Sequence, residues 1–301
     1  MAVPLNPRWR EKLLRMIGII IVIYLVALAA VFFAQRRLLY FPTRTSEQLS
    51  LATAAREGLK PWRDPAERLI GWRQPAQIGT PHHLVLIAHG NAGSALDRVD
   101  YARALQQVGN FEVFILEYPG YGPRPGSPTG QSLFSAAEEA IALLEKSGPV
   151  YVLGESLGTG VAAHVAGTHP QSVAGLLLVA PYHNLGDVAQ HQMRLFPAKW
   201  MLRDKFSSAQ YLRNFHGPVA VLLGDADTVV PKRFGRQLFD SYAGPKKVWE
   251  IPSAGHNDLP NQPVEWWKEL LRFWRVSPYQ AGLAKQSKTG AYRRMRPSPS
   301  A

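Results

Sequence analysis

The sequence predicts an α/β protein, a mostly parallel sheet with helices on both faces, preceded by one N-terminal transmembrane helix. Three observations lead there. Short apolar runs alternate with helix-length segments from Leu84 to Trp274, nineteen uncharged residues run from Met16 to Ala34, and a serine between glycines stands where a strand should meet a helix.

Taken in order, residues 1–15 form a basic segment with Arg8, Arg10, Lys12 and Arg15 against Glu11. The run 16–34, MIGIIIVIYLVALAAVFFA, rises about 28 Å as a helix, close to the hydrocarbon thickness of a bilayer. Ala27-Leu28-Ala29 resembles a signal cleavage site, but the apolar run continues through Val31, Phe32 and Phe33, which favours a retained anchor. Membrane lipid is therefore an expected partner through residues 16–34. Four basic residues precede the span and Arg36, Arg37 and Arg44 follow it. This mild bias places the N-terminus in the cytoplasm and the bulk of the chain on the opposite side of a single-pass membrane protein.

Residues 35–80 read as a connector broken by Pro42, Pro61, Pro65 and Pro75, with early edge strands around Leu69–Trp72. Residues 81–276 read as the folded core. Its expected strands are Leu84–Ala88, Val113–Leu116, Val150–Leu153, Gly175–Val179, Val219–Leu223 and Lys247–Ile251. The helices between and after them are Leu96–Val108, Leu133–Lys146, Leu157–Gly167, Lys232–Tyr242 and Val264–Trp274. The less regular stretch 182–216 holds Leu195, Phe196, Trp200, Met201 and Phe206 among Arg194, Lys199, Arg203 and Lys205. That composition suits a small lid against an acyl chain or membrane surface, and equally a connecting segment packed on the core. Residues 277–301 form a basic tail expected to be disordered.

Charge and composition narrow the function. The formal net charge is +12, but residues 1–15 hold +3 and residues 285–301 hold +5, so the body between them is nearly neutral. No basic, aromatic-interleaved surface of the kind nucleic acid needs stands out between Arg44 and Arg275, so nucleic acid is not an expected partner. The absence of cysteine excludes a disulfide framework, thiolate metal ligation and a cysteine nucleophile. The histidines show no H-x-x-x-H or H-E-x-x-H spacing, so no metal is expected, and no cofactor or obligate protein partner is implied.

The chemical signal is Gly154-Glu155-Ser156-Leu157-Gly158, directly after the strand YVL and directly before the helix LGTGVAAHVA. A nucleophile elbow needs this arrangement. The serine occupies a sharp, strained turn, Gly154 and Gly158 keep Cβ atoms out of the way, and the helix N-terminus aims free N–H groups at a developing oxyanion. A hydroxyl needs a base, and the partners should follow in the order Ser, acid, His. Past one strand lies Gly224-Asp225-Ala226-Asp227-Thr228-Val229-Val230-Pro231, and past the next lies Gly255-His256-Asn257-Asp258. His256 is the candidate base, and either Asp227 or Asp225 can be the acid. The loop His89-Gly90-Asn91-Ala92-Gly93-Ser94 should supply the second half of the oxyanion hole, making the amides of Asn91 and Leu157 the donors. His89 itself reads as a structural hydrogen-bonding residue.

These residues carry a resemblance to the alpha/beta-hydrolase superfamily, in the branch of bacterial lipoprotein-like hydrolases and the eukaryotic Bem46-like and depalmitoylase-type serine hydrolases. It covers roughly residues 36–275 and rests on Arg37-Leu38-Leu39-Tyr40-Phe41-Pro42, His89-Gly90-Asn91-Ala92-Gly93, Tyr118-Pro119-Gly120-Tyr121-Gly122, the elbow, and Gly255-His256-Asn257-Asp258. The family's acid loop, G-x-x-D-x-x-V-P, falls on Gly224, Asp227, Val230 and Pro231, so the resemblance implies Asp227. One departure is Gly122-Pro123-Arg124-Pro125-Gly126, where many relatives have a tighter loop near the site. The resemblance implies an alpha/beta-hydrolase fold and a Ser156–His256–Asp227 triad. The expected activity is cleavage of carboxylic ester or thioester bonds through an acyl-enzyme, with the anchor pointing to a lipid-like or acylated substrate. A catalytically silent membrane-tethered interaction protein and a serine peptidase of the same fold are the alternatives. The intact elbow, acid and base speak against the first, and the lack of an accessory propeller speaks against the second.

Overall fold

The computed structural model describes residues 7–79 and 83–276, so the tail expected over 277–301 lies outside the described residues. Helix α1 (Pro7–Leu39) leads into β1 (Phe41–Pro42), α2 (Glu47–Arg56), β2 (Lys60–Arg63) and β3 (Leu69–Gln74). Next come β4 (His83–Ala88), β5 (Ala92–Gly93), α3 (Val99–Val108), β6 (Phe111–Leu116), α4 (Gly130–Leu144), β7 (Val150–Glu155), α5 (Leu157–Thr168) and β8 (Val173–Val179). Three short helices, α6 (Leu185–Gln192), α7 (Ala198–Met201) and α8 (Ser208–Tyr211), precede β9 (Val219–Gly224), α9 (Lys232–Ser241), β10 (Lys246–Ile251) and α10 (Val264–Val276).

Eight strands form one sheet in the order β10-β9-β8-β7-β4-β6-β3-β2. Neighbours from β10 to β6 pair in parallel, while β3 runs antiparallel to β6 and β2 antiparallel to β3. Strands β6, β8 and β9 are buried at every residue, as strands covered on both faces must be. At the rims, β10 is half-buried throughout and carries Lys246, Lys247 and Glu250, and β2 carries Lys60 and Pro61, which discourage pairing with another chain. One core layer, with Leu133, Ile141, Val161 and Leu238, lies under α4, α5 and α9; the other, with Leu105, Trp267 and Trp274, lies under α3 and α10. The order puts β7, which ends at the serine, in the middle of the sheet, with the acid and histidine loops at the ends of β9 and β10 on one side of it.

Three local features differ from the sequence reading. Helix α2 forms inside the stretch read as irregular, started by Ser46, whose Oγ accepts from Leu49 N at 3.2 Å. It buries only Ser50 and Ala54, so it leaves no apolar stripe to read. The helix expected over 96–108 splits into a 3-10 turn, Ala95–Arg98, followed by α3. The expected span 16–34 is the middle of α1, which begins at Pro7 and runs up to Leu39. Residues Arg8–Leu39 are long and apolar enough to cross a membrane, and their most apolar stretch is not buried in the body. From the stretch 35–80, β2 and β3 enter the same sheet as the core strands.

Candidate active site

Ser156 ends β7 and starts α5 with φ 51° and ψ −117°, a conformation that costs a non-glycine residue about 1–3 kcal/mol and persists only when its surroundings enforce it. They do so here: Ser156 N donates to Val179 O at 2.8 Å, and Thr159 donates to Ser156 O through both N (2.9 Å) and Oγ1 (2.6 Å). The flanking glycines are forced by contact. A Cβ on Gly154 would stand 2.5 Å from Gly158 O, and one on Gly158 would meet the carbonyl oxygens of Ala88 and His89. The helix thus approaches β4 more closely than any side chain allows.

The loops after β9 and β10 bring the acid and the histidine together. His256 Nδ1 lies 2.7 Å from Asp227 Oδ2, with the Asp227 side chain almost fully buried. The other carboxylate oxygen, Oδ1, accepts from Val229 N at 2.9 Å and Val230 N at 2.8 Å, so the acid is held from both sides. Asp225, the alternative acid, turns away and pairs with Lys232 Nζ at 2.7 Å on the surface. An imidazole whose Nδ1–H is taken by a carboxylate presents Nε2 as the free base.

Across the site, the loop after β4 is braced by His89. Its Nδ1 stands 2.8 Å from Gly90 O, an acceptor, so the proton resides on Nδ1. The Gly90–Asn91 peptide is trans, so the Asn91 N–H points opposite to the carbonyl that His89 holds. Burial, with the positive charge of Arg98 second, pushes the His89 imidazole down to about 3, keeping it neutral. Its Nε2 is buried without a hydrogen bond, 3.7 Å from Glu117 Oε1. Burial raises the Glu117 carboxyl to about 7 despite hydrogen bonds from Ala95 N (3.0 Å) and Trp72 Nε1 (3.3 Å). Behind the elbow, Arg98 holds Glu155 with two bonds of 3.0 and 2.8 Å.

Ser156, Asn91 and Leu157 share the wall of one cavity of about 470 Å³, within the ~300–1,000 Å³ of ligand clefts. The wall is mostly apolar. Leu185, Val188 and Met201 come from the segment 182–216, which therefore roofs the site, and Val229 and Val230 come from the acid loop. The loop 122–126, expected near the site, contributes nothing to this wall; Arg124 instead donates to Glu117 O at 2.9 Å and pairs with Glu139. Among the described residues, no group of three or more His, Asp or Glu is placed to hold a metal ion.

The sequence reading does not contain the Arg98–Glu155 pair, the buried His89–Glu117 pair, or the side chains of α1 that reach the cavity. A signal for the last was present. Tyr24 and Gln35, the polar side chains within and just after the apolar run, are eleven residues apart and so lie on one face of a helix.

A family model for the alpha/beta hydrolase fold matches residues 83–207. The uncharacterized protein Rv2307c of Mycobacterium tuberculosis is 33% identical over 257 residues, covering 82% of this chain and 90% of that protein. The chain belongs to the alpha/beta hydrolase family. Its class is that of serine hydrolases acting on ester bonds. The lysophosphatidylserine lipase ABHD12 of Danio rerio is 28% identical over 211 residues, 62% of this chain and 54% of that protein, so the hydrolase spans about half its length. Among solved structures, the Pyrococcus furiosus esterase PF2001 superposes with a TM-score of 0.63 at 15% identity, over 79% of this chain and 98% of that one, a likeness of fold.

Proposed function

We propose that this hydrolase is anchored in a membrane by residues 16–34 and cleaves a carboxylic ester or thioester of a lipid-like or acylated substrate, with Ser156 as nucleophile, His256 as base and Asp227 as orienting acid. The observation that carries the reading is the 2.7 Å contact of His256 Nδ1 with a buried, doubly braced Asp227, beside a cavity lined by Ser156. Ser156 Oγ attacks the acyl carbonyl carbon while His256 Nε2 takes its proton, and Asp227 stabilises the imidazolium. The amides of Asn91 and Leu157 receive the oxyanion, a contribution of about 3 kcal/mol per donor in such sites. Collapse expels the alcohol or thiol, which takes the proton from His256, and water, deprotonated by the same imidazole, releases the acid.

The apolar wall supports an acyl chain as the bound group, and the lipase ABHD12 among the relatives supports a lysophospholipid-type ester. The basic residues at the start of α1 support a cytoplasmic N-terminus with the catalytic domain on the opposite side. The test is labelling of the full-length protein with a fluorophosphonate probe. Wild type labels and Ser156→Ala does not; Asp227→Asn labels slowly, with kcat down by about 10³- to 10⁴-fold. Equal labelling of wild type and Ser156→Ala would refute the assignment.

A further inference from the structure

The cavity at Ser156 is not closed by the catalytic body alone. Val31, Phe32, Gln35 and Leu38 of α1 form one of its walls, at spacings that put them along one side of the helix. Val188 and Met201 of the roof line the same cavity. The helix is pinned in this place by polar contacts along its length. Arg36 makes two bonds to Asp204, at 3.0 and 3.2 Å, and Tyr40 Oη joins the same carboxylate at 3.1 Å. Gln35 accepts from Arg203 N at 2.7 Å and donates to Met201 O at 3.4 Å. Asn91, the expected oxyanion residue, donates its side-chain amide to Leu39 O at 3.0 Å.

Further along, Tyr24 Oη donates to Leu195 O at 2.9 Å, and its ring stacks on Phe196 at 6.1 Å. Tyr24 is eleven residues before Gln35, about 16 Å along the helix axis. The edge of the roof therefore runs beside the apolar span itself. There it exposes Leu195 and Trp200, both more than four-fifths accessible. Phe32 and Leu38 are exposed while lining the cavity, so the cavity is open along α1.

We propose that α1 is the acyl-binding wall of the enzyme as well as its anchor. A membrane-resident ester enters sideways between α1 and the roof, lays its acyl chain along Val31, Phe32 and Leu38, and brings its carbonyl to Ser156. These three side chains set the chain length accepted. Leu195 and Trp200 face the acyl region of the bilayer, where Arg194 of the same segment reaches outward on its long stem, while Lys199 pairs with Asp187 at 2.6 Å. The inference rests on Ser156 being the nucleophile.

The test uses the full-length protein in nanodiscs and the ratio of kcat/KM for p-nitrophenyl laurate to that for p-nitrophenyl butyrate. Val31→Trp and Leu38→Trp fill the wall and lower this ratio by at least about tenfold. Phe32→Ala widens it and raises the ratio for palmitate over laurate. Ile21→Trp, on the same helix but outside the cavity, leaves both ratios as in wild type. Fluorophosphonate labelling checks each protein. Unchanged ratios in the labelled wall variants, or an equal shift in Ile21→Trp, overturn the proposal; if the tryptophan variants fail to label, Phe32→Ala decides it. A wild type that does not label removes the nucleophile, and the inference with it.

Discussion

Glu117→Gln changes how stability depends on pH. Burial raises the Glu117 carboxyl to about 7 from an ordinary 4.5. Between those values the folded chain keeps a proton that the unfolded chain has lost, so stability is fully present below 4.5 and is lost as pH rises through the window. A rise of about 2.5 pH units corresponds to about 3 kcal/mol. His89 works the other way. Held down to about 3 from 6.5, it stays neutral where the unfolded chain is protonated, so its contribution is lost as pH falls below 6.5. In the wild type the two slopes offset each other where the windows overlap; the Gln variant leaves the His89 slope alone. Urea unfolding of both full-length proteins in micelles, followed by tryptophan fluorescence, is measured at about pH 5 and about pH 8. Relative to wild type, the variant gains about 2.5 kcal/mol between the lower and the higher pH, because the lower pH already lies above 4.5, and any pH-independent cost of the substitution cancels in that difference. A change below about 0.5 kcal/mol would mean that Glu117 titrates as an exposed carboxyl does, and that the reasoning from burial is wrong.

His89→Ala releases the Gly90 carbonyl and with it the orientation of the Asn91 amide; kcat for a short ester falls by about tenfold or more while KM stays close to wild type. Steady-state kinetics with p-nitrophenyl butyrate reads this, and an unchanged kcat removes His89 from that positioning role. Gly158→Ala drives a methyl group against the Ala88 and His89 carbonyl oxygens and destabilises the protein by about 1–3 kcal/mol. Its fluorophosphonate labelling also slows, because α5 and the Leu157 amide must retreat. A variant as stable and as reactive as wild type would show that the elbow has room.

The parallel strands are legible in the sequence because burial on both faces leaves no choice but runs such as Leu176-Leu177-Leu178-Val179. Ser156 is legible because its strained turn demands small neighbours on both sides. The choice between Asp225 and Asp227 is not legible from the residues alone. Each is an aspartate in the same loop, and what separates them is Lys232, seven residues beyond Asp225, which holds that carboxylate on the surface. Helix α2 escapes notice because its buried side is Ser50 and Ala54, too small to mark a stripe. The role of α1 is nearly hidden for the opposite reason: apart from Tyr24 the run 16–34 is apolar throughout, so the side facing a pocket reads much like the side that would face lipid. His89 is legible only as a structural hydrogen-bonding residue and Glu117 not at all, because the state of a buried titratable group is defined by what surrounds it, and those neighbours come from β3, the loop after β4 and the turn before α3.

The junction between α1 and the body has no slack. The helix ends at Leu39, Tyr40 is already buried, and Phe41 and Pro42 are already paired with β5. A hydrolase on a flexible linker samples a volume set by the linker's length and can meet substrates on a facing membrane. Here no such linker intervenes, and Arg36 of α1 is locked to Asp204. With α1 as the anchor proposed above, the enzyme would act in cis, on esters within the same leaflet, and vesicles mixed with it but not fused to it would be beyond its reach.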